Sequence, residues 1–204
     1  MSDRKSIDLP LMEAFYTVQG EGYHQGKAAW FIRLAGCDVG CSWCDVKDSW
    51  NAAAHEQHTV DAIVRTASDS GARTAVITGG EPLMHDLGPL TSALRNAGLQ
   101  THLETSGAYP LSGTWDWVCL SPKKFKLPLE SVLSFADELK VVVYNNNDFE
   151  WGETFRKRLK AGCRLFLQPE WSRYERNLPR TIAYIKQHPE WQISLQIHKF
   201  MNIP

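Results

Sequence analysis

No run of 18 apolar residues interrupts this sequence, so no segment is long enough to cross a bilayer as a helix. A basic surplus is also missing. The 22 lysines and arginines meet 23 aspartates and glutamates, for a formal net charge of −1. Proteins that grip nucleic acid through its phosphates usually carry such a surplus, so general nucleic-acid binding is not expected. The chain holds no internal repeat, no low-complexity tract and no linker rich in proline, glycine and serine. Its first ten residues, Met1 to Pro10, are polar and charged and lack the apolar core of an export signal. A cytoplasmic location is expected from this. Cysteine is sparse, with five residues, an odd number, and three of these fall within eight positions. That distribution fits a disulfide framework poorly and a metal or cluster site well.

What is present is an ordinary globular composition. Hydrophobic residues make up 43% of 204, enough for a sizeable core in one compact unit. One domain over residues 1–204 is expected. Early strands are expected at Leu11–Thr17 and Ala29–Leu34. Thr59 should cap a helix running to Ser70, with Gly71 as its stop. Further strands are expected at Thr74–Thr78, Leu99–Glu104, Trp115–Leu120, Leu139–Tyr144, Arg164–Gln168 and Gln192–Gln196. Helices are expected at Asp86–Ala97, from an Asp148 cap to about Ala161–Gly162, and at Tyr174–Gln187. Alternation of this kind predicts an α/β fold with a mostly parallel sheet and helical crossovers. A closed eightfold barrel typically takes about 250 residues, so a reduced, incomplete (β/α) barrel is expected. Turn signals follow the strands at Gly79-Gly80-Glu81-Pro82, Thr105-Ser106-Gly107, Ser121-Pro122-Lys123 and Pro169-Glu170. The carboxyl ends of parallel strands form the functional rim of such folds, so these four loops should share one site.

The cysteine triplet reads Cys37-Asp38-Val39-Gly40-Cys41-Ser42-Trp43-Cys44, a C-x3-C-x2-C spacing within a loop at about residues 36–50. Gly36 and Gly40 let the backbone curl closely around a bulky ligand. Thiolates hold iron–sulfur clusters, and a cubane usually takes four. With three in the motif, one iron stays open to a small chelating molecule. The spacing alone also admits a zinc site with His55 or His58 as fourth ligand. It admits an electron-transfer cluster with a distant fourth cysteine, or three unrelated thiols. Cys119 and Cys163 read as core residues. Gly22 to Ala28 fails the phosphate-loop pattern, because Glu21 stands where the first glycine should be and Ala28 replaces Ser or Thr.

The triplet followed by Gly79-Gly80-Glu81-Pro82 resembles the radical S-adenosylmethionine superfamily. Within it, the chain is similar over nearly its whole length to the 7-carboxy-7-deazaguanine synthases. The resemblance rests on Phe15–Gly22, on Phe31–Cys37, on Thr78–Pro82, and on Glu104–Gly107. It continues through Ser121–Lys123 and Gln168–Pro169, and closes with Gln196–Lys199 and Pro204. It implies an incomplete barrel of the radical S-adenosylmethionine type, a [4Fe-4S] cluster on Cys37, Cys41 and Cys44, and S-adenosylmethionine as cofactor. It implies a lyase that contracts 6-carboxy-5,6,7,8-tetrahydropterin to 7-carboxy-7-deazaguanine with loss of ammonia, in the queuosine pathway. A homodimer and an electron donor such as flavodoxin or ferredoxin are implied as well.

By the same resemblance, Val18, Gln19, Gly20, Glu21, Arg33, Thr78, His198 and Pro204 lie at the substrate. Gly80, Glu81, Glu104, Ser121, Pro122, Lys123, Gln168, Pro169, Glu170 and Trp171 lie at S-adenosylmethionine. The chemistry agrees. A pterin edge presents N–H donors that want acceptors such as Glu21 and Gln19, and a carboxylate suits the guanidinium of Arg33. The free carboxylate of a terminal Pro204 would serve as a ligand, so a C-terminal extension is expected to be harmful. One departure concerns magnesium, which the family's resemblance also implies. The usual Ser or Thr ligand two residues past the third cysteine is Val46 here, without a side-chain oxygen. Asp45 or Asp48 stands close by, and no residue is assigned to the ion. The competing enzyme reading is an activase of glycyl-radical enzymes; the competing non-enzyme is a zinc or electron-transfer module.

Overall fold

A computed structural model describes residues 7–204. Among these, nine strands form one sheet in the order β3-β1-β2-β4-β5-β6-β7-β8-β9. The strands are β1 (Asp8–Val18), β2 (Ala28–Leu34), β3 (Gln57–Thr59), β4 (Thr74–Gly79), β5 (Gln100–Thr105), β6 (Trp117–Leu120), β7 (Glu138–Val143), β8 (Arg164–Pro169) and β9 (Trp191–Ile193). From β2 onward every neighbouring pair is parallel. β1 runs antiparallel to both β2 and β3. The sheet ends at β3 and β9 without closing, as the short chain predicts for an incomplete barrel.

Helices α1 (Val60–Asp69), α2 (Gly88–Asn96), α3 (Glu130–Leu133), α4 (Asn147–Arg156) and α5 (Tyr174–Gln187) make the crossovers, and α6 (Ile197–Met201) closes the chain. α1 starts where expected, because the Thr59 hydroxyl accepts from Ala62 N at 3.2 Å. It buries Val60, Ile63 and Ala67 along one face. Those residues meet Ile32 and Ile77 of the sheet and Leu90 and Leu94 of α2. A second core joins Leu133, Leu139, Val141, Leu167 and Trp191. Each such side chain stabilises by about 1.5–3 kcal/mol when fully buried. No helix of the described residues is long and apolar enough to cross a membrane.

Three expected boundaries shift. Asp148 does not cap its helix; the helix starts at Asn147, with Asn146 before it making no side-chain capping bond, and it ends at Arg156. The Asp148 carboxylate instead accepts from Tyr144 N at 2.8 Å and Asn145 N at 2.7 Å, tying the turn after β7. The helix expected from Asp86 begins at Gly88, since the Asp86 carboxylate accepts from Gly88 N at 3.0 Å in the preceding turn. The last strand stops at Ile193, and the residues beyond it turn into α6.

Candidate active site

A cavity of about 460 Å³ opens at the carboxyl ends of the parallel strands. Its lining comes from the loop after β2, the ends of β4 to β8, the segment after β1 and α6.

Cys37, Cys41 and Cys44 form one wall. The backbone that carries them is pinned at both ends. Gly36 N donates to Ser49 O at 2.6 Å, Cys37 N to Trp50 O at 3.1 Å, and Cys44 N to Cys41 O at 3.1 Å. Gly36 and Gly40 adopt φ of +109° and +74°, which side-chain-bearing residues rarely do. All three thiols are free. Burial raises the Cys37 thiol and pushes Cys41 up to about 11, the latter against the pull of Lys123. A cationic metal centre would supply the charge that makes them thiolates. Cys119 and Cys163 lie off this cavity. His55 gives its ring to Asp48 O at 2.8 Å and His58 lies 3.7 Å from Glu56, and neither lines the cavity. The expected zinc alternative therefore lacks its fourth ligand. Three thiols on one wall, with no fourth cysteine at hand, fit an iron–sulfur cubane with one open iron.

The glycine pair after β4 packs directly under that wall. A Cβ on Gly80 would collide with the Gly36 carbonyl oxygen and lie 2.7 Å from the Cys37 Cβ. Gly80 lines the cavity; Glu81 does not. The Glu81 side chain is 1% exposed, and its carboxylate accepts from Leu83 N at 3.1 Å, Thr105 Oγ1 at 2.5 Å, Ser106 N at 2.8 Å and Ser106 Oγ. It clasps the end of β4 to the end of β5.

Ser121, Lys123, Gln168, Glu170 and Trp171 line the cavity, whereas Pro122 and Pro169 lie outside its lining. Lys123 Nζ donates to Ser121 O at 2.7 Å and to Ser121 Oγ at 2.6 Å, and burial lowers its pKa. Gln168 Oε1 accepts from Ser194 Oγ at 2.8 Å.

Val18, Gln19, Gly20, Glu21, Arg33, Thr78, His198 and Pro204 all reach the same cavity, although they come from both ends of the chain. Ile197 N donates to Gly20 O at 3.0 Å, which docks α6 on the segment after β1. Gly20 admits the His198 ring, for a Cβ there would strike it. Arg33 Nε donates to Glu13 at 2.6 Å. Thr17 Oγ1 donates to Pro204 O at 3.3 Å.

Lys140, Gln196, Lys199 and Asp45 also line the cavity. The sequence does not single out Lys140, places Gln196 and Lys199 in a motif without an assigned role, and marks Asp45 only as a neighbour of Val46. Lys140 had a signal: a single charge inside the apolar run Leu139–Val143 must find carboxylates if that strand is central. It finds Glu21 and Glu104, at 2.5 and 2.9 Å. Burial works against ionised Glu21, but the Lys140 charge and hydrogen bond, with Gln196 and His198, bring its pKa down to about 2. Val46 presents an apolar side chain to the cavity. Asp45 beside it is held by Lys199 Nζ at 2.8 Å, while Asp48 is not in the lining.

Comparison with known proteins agrees with this geometry. The radical SAM superfamily pattern matches residues 31–150. The 7-carboxy-7-deazaguanine synthase of Flavobacterium psychrophilum is 55% identical over 96% of this chain and 93% of its own. That of Synechocystis sp. is 46% identical over 100% and 97%. The chain belongs to the 7-carboxy-7-deazaguanine synthase family. The crystal structure of QueE from Escherichia coli superposes with a TM-score of 0.81 at 32% identity, covering 92% of this chain and 93% of that one. As a radical SAM enzyme the family member works with a [4Fe-4S] cluster and S-adenosylmethionine, and the thiol wall beside an open cavity suits that pair.

Proposed function

We propose that this chain contracts 6-carboxy-5,6,7,8-tetrahydropterin to 7-carboxy-7-deazaguanine with loss of ammonia, the reaction for which its relatives are named. The observation that carries the reading is the convergence of eight residues from the end of β1 and the segment after it, from β2, β4 and the C-terminal segment on a cavity that also holds three thiols. Cys37, Cys41 and Cys44 would hold the cluster within the loop at about residues 36–50. Gly80, Ser121, Lys123, Gln168, Glu170 and Trp171 would border S-adenosylmethionine. Glu104 would face the cofactor's ribose, as strand-end carboxylates do toward sugar hydroxyls. When bound, the cluster and cofactor supply the hydrogen-atom abstraction that starts the ring contraction.

The chain's own part is recognition and exclusion of water. Ionised Glu21 accepts from the N–H-rich edge of the pterin, and Gln19 adds a second polar contact. Arg33 answers the substrate carboxylate, with Glu13 holding its Nε side. His198 is kept neutral by burial, against the pull of Glu21, so its ring closes the pocket without adding a cation. Magnesium, if used, has no side-chain ligand at Val46; Asp45 is the carboxylate nearest in sequence that lines the cavity. A homodimer, a one-electron donor such as flavodoxin or ferredoxin and a cytoplasmic setting belong to the reading on the family resemblance.

The activase alternative needs a site open to a polypeptide. Here α6 docks on the segment after β1 and lines the cavity with His198 and Lys199, which favours a small molecule. The test is anaerobic reconstitution with iron and sulfide, then incubation with reductant, S-adenosylmethionine and the carboxytetrahydropterin. Mass spectrometry should find the deazaguanine product. Cofactor cleavage without that product would remove the substrate assignment and leave the radical chemistry standing.

A further inference from the structure

Lys140 lies on β7, an interior strand of the sheet between β6 and β8, and its side chain is 4% exposed. Its ammonium donates to Glu21 Oε2 at 2.5 Å and to Glu104 Oε2 at 2.9 Å. The other oxygen of each carboxylate is engaged too. Gln196 Nε2 donates to Glu21 Oε1 at 2.8 Å, and Gln19 Nε2 donates to Glu104 Oε1 at 3.0 Å. Five side chains from four parts of the fold thus form one continuous strip, and all five line the cavity. An ionised carboxylate accepts at about four positions, so each of these keeps capacity for a ligand.

We propose that Lys140 is a positioning residue that keeps Glu21 an ionised acceptor and fixes the direction of both Glu21 and Glu104 in the cavity. This rests on the pterin reading of the site. The N–H-rich pterin edge then meets Glu21 as an acceptor whose direction and charge do not vary across the working pH range, while the same ammonium fixes the direction of Glu104 toward the cofactor's ribose.

The surroundings show why one lysine carries this task. Glu138 stands two residues away on β7, 2% exposed, and Cys119 faces Lys140 from β6. Asp45 of the cysteine loop adds a third carboxylate near Glu21, paired with Lys199, while His198 of α6 and Lys123 after β6 complete the circle. Burial disfavours the Lys140 cation, but Cys119, Glu104, Glu21 and Glu138 together hold its pKa well above the ordinary value. Without Lys140, Glu21, Glu104 and Glu138 would share a buried region with no cation bridging them. At least one would take a proton, and a protonated carboxyl presents a donor where the pterin edge needs an acceptor.

The test measures equilibrium binding of the carboxytetrahydropterin to cluster-loaded enzyme without reductant, so that no turnover occurs, between about pH 5.5 and pH 8. Each variant is scored against wild type at the same pH, which cancels titration of the ligand. Lys140→Met should lose affinity on the order of tenfold or more from the alkaline to the acid end relative to wild type, about one such factor for each pH unit by which the buried carboxyl, freed of its cation, rises above the acid end of the interval. Lys140→Arg, which keeps a cation, should restore most of the flat profile. A Lys140→Met profile parallel to wild type overturns the proposal. Should Lys140→Met fail to fold, Glu21→Gln decides: about tenfold weaker binding at every pH supports a required ionised acceptor, and wild-type affinity overturns it. A wild-type enzyme that binds no carboxytetrahydropterin at any pH removes the substrate reading, and the proposal falls with it.

Discussion

Cys41 and Cys119 are both buried, and burial raises both thiols above their ordinary range. Acidity therefore does not separate a cluster ligand from a core cysteine in this protein; access does. Cys41 stands on the cavity wall beside Cys37 and Cys44, whereas Cys119 is packed in β6 between neighbouring strands. Cys37→Ala should accordingly abolish the visible iron–sulfur absorbance after reconstitution, together with cleavage of S-adenosylmethionine. Cys119→Ala should keep both and cost about 1 kcal/mol of stability through the small void it leaves. Iron and sulfide analysis of the two variants checks this, and a fully loaded Cys37→Ala protein would refute the ligand assignment. Glu81 teaches the same lesson from the other side. Its motif suggests a cofactor contact, yet its carboxylate is spent on Leu83, Thr105 and Ser106 beneath the surface of the cavity. A motif names the residues that must be present; only packing says whether the side chain or the backbone faces the ligand.

Gly79 and Gly80 show how one element shapes another. β4 pairs with β2 in parallel, and Leu34 at the end of β2 sits opposite Gly79. Gly79 has φ of +141°, and a Cβ there would strike the Leu34 backbone. The cysteine loop leaves β2 just above, so the two strand ends can lie this close only because the pair carries no side chains. Gly80→Ala must push the loop away from β4 at a cost of about 1–3 kcal/mol. The expected result is a folded protein, by circular dichroism, that takes up markedly less iron and sulfide; full loading would show that the loop tolerates the displacement. Much of this layout was legible in the sequence. The strands and the capped helix α1 carry strong periodic and capping signals, and the residues grouped by family resemblance converge on one cavity except for Glu81, Pro122 and Pro169. What stayed hidden depended on distant partners. The β1–β2 antiparallel pairing, the clasp role of Asp148 and the helix α6 are set by tertiary contacts. So is the Lys140 strip, which joins residues up to 175 positions apart. Local pattern cannot report which distant carboxylate a buried lysine will meet.

Across the whole molecule, the region behind the cavity floor sets a pH dependence of stability. The His24 and His102 ring centroids lie 4.5 Å apart with the rings tilted by 42°, with Trp117 and Tyr23 against His24. Burial, with the neighbouring His102 and Lys27 charges, lowers His24 to about 4; burial, over the opposing pull of Asp116, lowers His102 to about 4 as well. Both are therefore neutral in the folded protein at pH values where the unfolded chain already binds protons. Their contribution is fully present above about pH 6.5 and is lost as pH falls toward 4. Glu138 acts in the opposite sense. Burial raises its pKa, so its contribution is present below the ordinary carboxylate range and is lost as pH rises through the raised value. His24 and His102, with His198 lowered by burial in the same sense, outweigh one carboxyl and leave a net loss on acidification, on the order of 1–2 kcal/mol between about pH 7 and pH 5 once partial exposure is discounted. For a chain of this size that lowers Tm by roughly 3–6 °C. Scanning calorimetry of the cluster-loaded protein should show this fall. The double variant His24→Gln, His102→Gln removes two of the three histidines that act in this sense and leaves His198 and Glu138, so its Tm should fall clearly less than that of wild type over the same interval. A double variant that loses stability as steeply as wild type would assign the acid sensitivity to other groups.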